Sequence, residues 1–288
     1  MNCLVTGSTG FLGQHALPQL QEGYKVSTIS LRNTAVADVK LDQVDAIIHL
    51  AGLAHQMQKI DPKRYFDVNR DLTLALANKA KKEGVGHFIF ISTVKVYGDD
   101  VAEVMNENSA CHPTDPYGQS KLEAEQGLET LADDNFIISI IRPPLIYGVG
   151  VKGNLDRIIK LCLKLPVLPF GKIRNERSMV YAGNVTALIM HLLEKKVSGI
   201  FIAGDQNRKS TSALVEMIEK KINLGKPNLA IPRFVRWLLK IVKPAIHQRL
   251  FGDFIIDNSE TNKRLNFNPP YSFEEGITNM VEPYLNLK

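Results

Sequence analysis

Short, continuous runs of apolar residues alternate along the chain with longer stretches in which apolar residues recur every three or four positions. The runs Cys3–Val5, Val26–Ile29, Ala46–Leu50, Phe88–Ile91, Ile137–Ile141 and Ile200–Ala203 have the length and continuity of buried strands. Helical spacing is clearest in Phe11–Gln21, Pro62–Lys82, Pro116–Leu131, Asn154–Leu163, Val185–Glu194 and Thr211–Ile222. Strands that are apolar throughout, each followed by a helix, predict the α/β class: a doubly wound parallel sheet covered on both faces. Beyond about residue 150 the alternation loosens, with a proline-bearing run at Leu165–Gly171, a basic helical stretch at Pro232–Phe251 and a tail holding Pro269 and Pro270. The pattern therefore divides the chain into a sheet domain over residues 1–150 and a smaller lobe over 151–288, with at least one later segment returning to the sheet.

Composition narrows the function without naming it. The chain has 288 residues, 44% hydrophobic and 23% charged, which is globular material with no sign of disorder. Its net charge of +5 comes from 35 basic and 30 acidic residues scattered along the sequence. A nucleic-acid partner is not demanded, and a small anionic substrate suits the balance equally well. Cys3, Cys111 and Cys162 lack the close pairing of zinc ligands, so free thiols and no metal are expected. The first strand begins at once and no apolar stretch reaches spanning length; the expectation is a cytoplasmic protein without a membrane span.

The first candidate chemistry lies where the first strand meets the first helix, at Thr6-Gly7-Ser8-Thr9-Gly10-Phe11-Leu12-Gly13. Glycines here let the backbone turn sharply, and bring N–H groups close to a pyrophosphate whose charge is favoured at a helix N-terminus. Gly7, Thr9, Gly10, Phe11, Leu12 and Gly13 are thus candidate dinucleotide contacts of a Rossmann fold. The spacing, Gly-x-x-Gly-x-x-Gly, departs from the commoner Gly-x-Gly-x-x-Gly. At the end of the second strand a carboxylate would hold the adenosine ribose and select NAD, but Ser30-Leu31-Arg32 stands there instead. The hydroxyl of Ser30 and the guanidinium of Arg32 suit a 2′-phosphate, which points to NADP over NAD, although Arg32 also reads as a solvated surface charge.

Tyr117 and Lys121 lie four apart on a helix opened by Pro116, so their side chains share a face. Bringing a phenol from a pKa of about 10 towards 7 requires roughly 4 kcal/mol of preference for phenolate, which a nearby ammonium and an oxidised nicotinamide would supply. Spacing alone carries little weight, since Tyr284 and Lys288 repeat it at the C-terminus. The setting of Tyr117 carries more: Ser92-Thr93 ends an apolar strand and presents hydroxyls at the carboxyl edge of the sheet, where ligands of this fold bind.

With these residues in view, the chain resembles the extended short-chain dehydrogenases/reductases that epimerise, dehydrate or reduce nucleotide sugars. The resemblance rests on the glycine loop, then His49-Leu50-Ala51-Gly52, Asn69, Ile91-Ser92-Thr93-Val94-Lys95-Val96-Tyr97-Gly98, Tyr117 with Lys121, Arg142-Pro143 and Tyr147-Gly148, and it spans nearly the whole chain. It implies that Tyr117 is the general acid/base, that Lys121 lowers its pKa and contacts the nicotinamide ribose, and that Thr93 hydrogen-bonds the reacting oxygen. It also implies that Leu50, Ala51 and Gly52 pass under the cofactor and that Asn69 braces the sheet beside it. Taken alone, His49 reads as a buried strand-end histidine and Asn69 as a helix cap. In the second half, Asn154 after Gly153, and Arg177 before Ser178-Met179-Val180, resemble positions that hold the nucleotide diphosphate. The segment Asp257–Leu265, with Pro269-Pro270 and Glu274-Glu275-Gly276, resembles the structural C-terminal signature of the same group.

Dehydratases of this family carry an Asp-Glu pair directly after the catalytic threonine, whereas this chain has Val94 and Lys95, so β-elimination would lack its carboxylates. Two reactions at C4 of a UDP-hexose remain: 4-epimerisation, in which Tyr117 first takes the proton of the 4-hydroxyl, and 4-ketoreduction, in which Tyr117 donates a proton to the oxygen of a 4-keto sugar. The compact length, the segment Leu50–His55, Val94-Lys95-Val96 and the tail most resemble bacterial reductases of UDP-4-keto-6-deoxy-N-acetylhexosamines that serve surface-polysaccharide synthesis. Reduction with NADPH is therefore the expected activity and 4-epimerisation the alternative. An idle NADP(H)-sensing regulator is a reading of another class, and the joint presence of Thr93, Tyr117 and Lys121 counts against it. The helices over 71–82 and 121–131 would, by resemblance, form a homodimer contact. Finally, Ile231–Leu250 mixes Arg233, Arg236, Lys240 and Lys243 with Phe234, Trp237, Leu238 and Leu239. The preferred reading is a lobe helix with its charges in water, and a membrane-surface helix is the alternative.

Overall fold

The structure is a computed structural model that describes residues 1–54, 60–98, 103–205 and 208–285. His55 and Lys288, both weighed in the sequence, lie outside the described residues. In chain order the first half forms β1 (Asn2–Thr6), α1 (Phe11–Gly23), β2 (Lys25–Ile29), β3 (Ala46–His49), α2 (Pro62–Tyr65), α3 (Leu72–Lys82), β4 (His87–Ile91), α4 (Pro116–Glu129) and β5 (Ile137–Arg142). The second half forms β6 (Leu145–Tyr147), α5 (Asn154–Lys164), β7 (Leu168–Gly171), β8 (Met179–Tyr181), α6 (Ala182–Lys195), β9 (Gly199–Ile202), α7 (Thr211–Ile222), β10 (Asn228–Ala230), α8 (Arg233–Val242), α9 (Pro244–Phe251), α10 (Ser259–Leu265) and α11 (Phe273–Leu285).

Every apolar run read as a strand enters one parallel six-stranded sheet, ordered β2-β1-β3-β4-β5-β9. Side chains of successive strand residues point to opposite faces. Cys3, Val5, Ile48, Ile89 and Ile141 thus pack with Ala16 and Leu20 of α1 and Leu188 and Leu192 of α6. Leu4, Ile47, Phe88, Phe90 and Ile140 pack with Leu76 and Ala80 of α3 and Ala124 and Leu128 of α4 on the other face. This two-sided burial, at roughly 1.5–3 kcal/mol for each large side chain, is why the inner strands β1, β3, β4 and β5 are mostly apolar, whereas the edge strand β2 leaves Lys25, Ser27 and Thr28 exposed. The fold is the doubly wound one read from the sequence. Chain order reverses between β1 and β3, since β1 runs out to β2 on one side and to β3 on the other. The crevice beyond their carboxyl ends is the place where such sheets bind ligands.

A second core lies beyond the sheet. Leu155 and Ile159 of α5, Val215 and Ile218 of α7, and Ile277, Met280 and Val281 of α11 pack around Tyr147 and Tyr181. Two short parallel ribbons, β6 with β8 and β7 with β10, line this lobe. The carboxylate of Asp205, just after β9, joins the two parts by accepting hydrogen bonds from the Tyr147 hydroxyl at 2.6 Å, the Asn184 amide at 2.8 Å and the Tyr181 backbone N–H at 3.2 Å. The later segments that return to the sheet are β9, paired with β5, and Leu265 of α10, packed in the core of the α1 face.

Candidate active site

The glycine loop leaves β1 and turns on Gly7, whose φ of +73° lies in the left-handed region open to glycine. A Cβ on Gly7 would stand 2.5 Å from the Ala51 backbone nitrogen, and one on Gly13 would stand 2.3 Å from the Gly7 carbonyl oxygen. Both glycines are therefore fixed by close approach of backbone to backbone. Gly10 caps α1 without a side-chain hydrogen bond, and the first turn of the helix, which holds Phe11 and Leu12, has no acidic residue. The first N–H groups of a helix have no acceptor within it, and here neither a capping side chain nor an acidic residue of the first turn takes them. A cradle that any side chain would fill, with a helix N-terminus aimed at it, fits a dinucleotide pyrophosphate. Thr9 is exposed on the same loop.

The opposite wall is the segment after β3. Leu50 N–H donates to the Thr6 carbonyl at 3.1 Å and Ala51 N–H to the Thr6 hydroxyl at 3.3 Å. His49 is fully buried, with one ring nitrogen 2.8 Å from the Thr6 hydroxyl and the other 3.0 Å from that of Thr73. Burial pushes its pKa down to about 3, so it is a neutral link between β1, β3 and α3. Asn69 is also fully buried. Its side-chain carbonyl accepts from Leu53 N–H at 2.8 Å, while its amide donates to Leu53 O and to the Ser120 hydroxyl, each at 3.1 Å. It pins the Leu50–Leu53 segment to α4, and does not cap a helix. The stretch predicted as one helix over 62–82 contains a π-helical turn, Phe66–Asp71, which carries Asn69. Single π turns re-aim one side chain at the expense of regular pairing and concentrate at functional sites.

The third wall is α4. Asp115 caps it, accepting from Gly118 N–H at 2.7 Å, and Pro116 takes the first turn. A Cβ on Gly118 would stand 2.7 Å from the Lys95 carbonyl oxygen, so α4 sits directly on the short 3-10 turn Val94–Tyr97 that follows Thr93. This contact brings the Tyr117 hydroxyl into hydrogen bonding with Thr93. The Tyr65 ring meets that of Tyr117 edge-on, with centroids 6.0 Å apart. One turn on, the Lys121 ammonium donates to the Ile91 carbonyl at 2.7 Å and lies 4.4 Å from the Phe90 ring centroid. A Cβ on Gly52 would come within 3.2 Å of that nitrogen, so Gly52 opens the space before it.

Electrostatically the free chain differs from the sequence expectation that Lys121 draws the phenol down. Burial pushes Tyr117 up to about 12, the hydrogen bond with Thr93 offsetting it in part, and burial pushes Lys121 down to about 7. Desolvation penalises each charged form more than its neighbours reward it. The phenol is therefore protonated at neutral pH.

The remaining sequence candidates lie elsewhere. Ser30 and Arg32 are exposed in the turn at the end of β2, the edge strand, with no carboxylate beside them in sequence before Asp38. Asn154 is exposed at the start of α5, after Gly153 with φ of +75°. The Arg177 guanidinium donates to the Gly252 carbonyl at 3.1 Å, and so holds the end of α9. Val94 is buried and Lys95 pairs with Asp115 at 3.3 Å, so the two positions after Thr93 carry no acid. No group of three potential metal ligands occurs among the described residues.

Sequence reasoning missed what holds α4 in place. Glu125 and Arg142 form a buried ion pair at 2.5 Å, and Arg142 also donates to the Tyr97 hydroxyl at 2.9 Å, tying α4, β5 and the turn after Thr93 together. Glu125, four residues beyond Lys121 on the face turned inward, was the available signal.

The comparisons agree with this geometry. A model of the NAD dependent epimerase/dehydratase family matches residues 3–204. A UDP-glucose 4-epimerase of Vibrio cholerae is 32% identical, the match covering 98% of this chain and 95% of that one. Among solved structures, the UDP-glucose 4-epimerase of Thermotoga maritima with UDP-glucose superposes with a TM-score of 0.80 at 25% identity, over 100% of this chain and 99% of that one. The UDP-glucuronic acid 4-epimerase of Bacillus cereus in complex with NAD gives 0.78 at 21% identity over 100% and 99%, which speaks to the fold. A glycine cradle facing a Thr-Tyr-Lys constellation, on a chain matched over most of its length, makes this an enzyme of the extended short-chain dehydrogenase/reductase type, and it belongs to the NAD dependent epimerase/dehydratase family.

Proposed function

We propose that the chain reduces the 4-keto group of a UDP-4-keto-6-deoxy-N-acetylhexosamine with NADPH. The observation that supports proton transfer at C4 is geometric: the Tyr117 phenol hydrogen-bonds Thr93 at the crevice, with Lys121 one helical turn away on α4. Reduction is favoured by Ser30-Leu31-Arg32, which stands at the end of β2 where a carboxylate would select NAD and so suits NADPH. The nicotinamide dinucleotide supplies the hydride chemistry when bound. Thr93 orients the C4 oxygen beside Tyr117, which releases its proton to that oxygen, and Lys121, one helical turn away, stabilises the phenolate left behind. Gly7, Thr9, Gly10, Phe11, Leu12 and Gly13 are proposed to cradle the pyrophosphate, with Leu50, Ala51 and Gly52 as the facing wall and Asn69 holding that wall in place. Ser30 and Arg32 would meet the 2′-phosphate of NADP. Arg177 and Asn154 are assigned to the sugar nucleotide's diphosphate, and UDP as the carrier is supported by the names of the relatives. Resemblance also supports a homodimer through α3 and α4, which pack side by side where Leu74 meets Gly127.

The names of the Vibrio and Thermotoga relatives favour a second reading, 4-epimerisation of a UDP-hexose. The two are separated by supplying UDP-4-keto-6-deoxy-N-acetylglucosamine with NADPH in one assay and UDP-glucose or UDP-N-acetylglucosamine with NAD in another. The reductase consumes NADPH in step with product, loses about 10²–10⁴ in kcat in Tyr117→Phe, and shows a raised KM for NADPH in Arg32→Ala. A C4-inverted product from the second assay, with no net change in the cofactor, assigns the epimerase instead.

A further inference from the structure

The helix α8 is turned the wrong way round for a globular protein. A surface helix ordinarily lays its apolar stripe on the core and its charges in water. Here Phe234, Trp237, Leu238 and Ile241 follow the i, i+3, i+4, i+7 spacing of one face, and they are 70%, 64%, 51% and 59% exposed. Val242 continues the patch, and α8 contributes no buried residue at all. The side that does touch protein is partly the cationic one: Arg236 lies 4.6 Å over the Phe251 ring of α9. An apolar patch of this kind on a soluble fold marks an interaction surface.

Charge says what covers it. Between Lys226 and Gly252 the chain carries Lys226, Arg233, Arg236, Lys240, Lys243 and Arg249, with no Asp or Glu. Arg233 and Lys240 border the apolar face, Lys243 follows the end of the helix, and the chain's single tryptophan, Trp237, belongs to that face. An apolar face with an indole, bordered by Lys and Arg, is the composition of a helix that lies in the plane of a lipid surface: the rings enter the headgroup boundary and the cations meet anionic lipid. A second copy of this chain is a poor occupant, because a two-fold contact would set this cationic segment against itself. The length of α8, ten residues, and the absence among the described residues of any helix long and apolar enough to cross a bilayer fit an attachment to its surface.

We propose that α8 docks the enzyme on anionic lipid bilayers through Phe234, Trp237, Leu238 and Ile241, with Arg233 and Lys240 at the border of that face and Lys243 just beyond the helix end as the electrostatic contacts. On its other side α8 packs on α9, whose end carries the carbonyl held by Arg177. The proposal does not depend on which C4 reaction the enzyme carries out.

The test uses the full-length protein with vesicles of phosphatidylcholine alone or mixed with phosphatidylglycerol, followed by co-sedimentation and by the emission of Trp237, the only tryptophan. Binding to the anionic vesicles with a blue shift of that emission, weakened by added salt, is the expected result. Lys240→Gln with Lys243→Gln should weaken it roughly 30-fold, at about five-fold for each cation near such a surface. Leu238→Glu with Ile241→Glu, both exposed in the fold, should abolish it while leaving turnover of a soluble UDP-hexose substrate unchanged. Equal binding to neutral vesicles, or no binding to either, overturns the proposal. So does a self-association of the wild-type chain that Leu238→Glu with Ile241→Glu removes without any vesicle binding, which would assign the face to a second copy. Loss of turnover on every substrate tried, with vesicle binding intact, would count against the proposed reaction alone.

Discussion

Lys121 and Tyr117 are each held in the uncharged form's favour by the same enclosure, and this has a measurable cost in stability. The ammonium of Lys121 is 5% exposed and titrates near 7 in the fold, against an ordinary lysine value of 10.5. Between these values the unfolded chain holds a proton that the folded chain has released, so stability rises with pH through the window, and the penalty is fully present below about 7. Urea unfolding from about pH 7.5 to 9.5 should therefore show a contribution of about 1.4 kcal/mol per pH unit that is missing in Lys121→Met. Parallel slopes in the two proteins would mean that Lys121 keeps an ordinary pKa. The placing of Thr93, Tyr117 and Lys121 was legible in the sequence because each sits where a local rule applies: a strand end, a proline-capped first turn, a four-residue spacing. Their titration was not legible, because it depends on how much solvent the Tyr65 ring, Phe90 and the Gly52 segment exclude, and those contacts are set by packing between distant parts of the chain.

At the level of elements, the same helix that offers Tyr117 and Lys121 to the crevice is anchored on its far half by charge. Glu125 and Arg142 are 1% and 3% exposed, and the Arg142 guanidinium also serves the Tyr97 hydroxyl, which in turn donates to Asn106 O at 2.8 Å. Glu125→Gln leaves the guanidinium buried without its counter-charge, so urea denaturation should show a loss of about 3–5 kcal/mol. Replacing both partners, with Glu125→Leu and Arg142→Met, should recover most of that loss, because no charge then remains in the core. A double variant no better than the single one would show that the hydrogen bond to Tyr97 matters more than the ion pair. The inner sheet strands were readable because burial on both faces makes most of their positions apolar, a signal that needs no partner to interpret; the edge strand β2, exposed at Lys25, Ser27 and Thr28, showed only the shorter run from Val26 to Ile29. The ribbons β6 with β8 and β7 with β10 were not, since elements of three or four residues are too short to show a period and Leu165–Gly171 reads as a proline-marked loop. The π turn that carries Asn69 escaped for a similar reason: the helical spacing of Pro62–Lys82 is almost unchanged by one wide turn.

Across the whole molecule, the sheet that builds the site also seals two histidines away from water, and this sets the enzyme's tolerance of acid. His49 bridges Thr6 and Thr73, and His87, at the opposite end of the sheet from the glycine loop, lies 2.8 Å from the Ser139 hydroxyl. Burial lowers their pKa values to about 3 and about 4, so both stay neutral in the fold while the unfolded chain takes up protons below its ordinary 6.5. The unfolded state then binds more protons, and stability falls as the pH drops from about 6.5 towards these values. Each histidine contributes a slope of about 1.4 kcal/mol per pH unit inside its window. His87 can be removed cleanly. Its Nδ1 has no hydrogen-bond partner, and the hydroxyl of Ser139 keeps the Val197 carbonyl, at 2.7 Å, as an acceptor. His87→Leu should accordingly leave stability at pH 7.5 near that of the natural chain and halve the loss measured by urea unfolding between about pH 6 and 5. An unaltered acid slope in that variant would mean that His87 is protonated in the folded protein, and that the interior of the sheet at β4 and β5 admits water that the tight packing of Phe88, Ile138 and Phe136 is built to exclude.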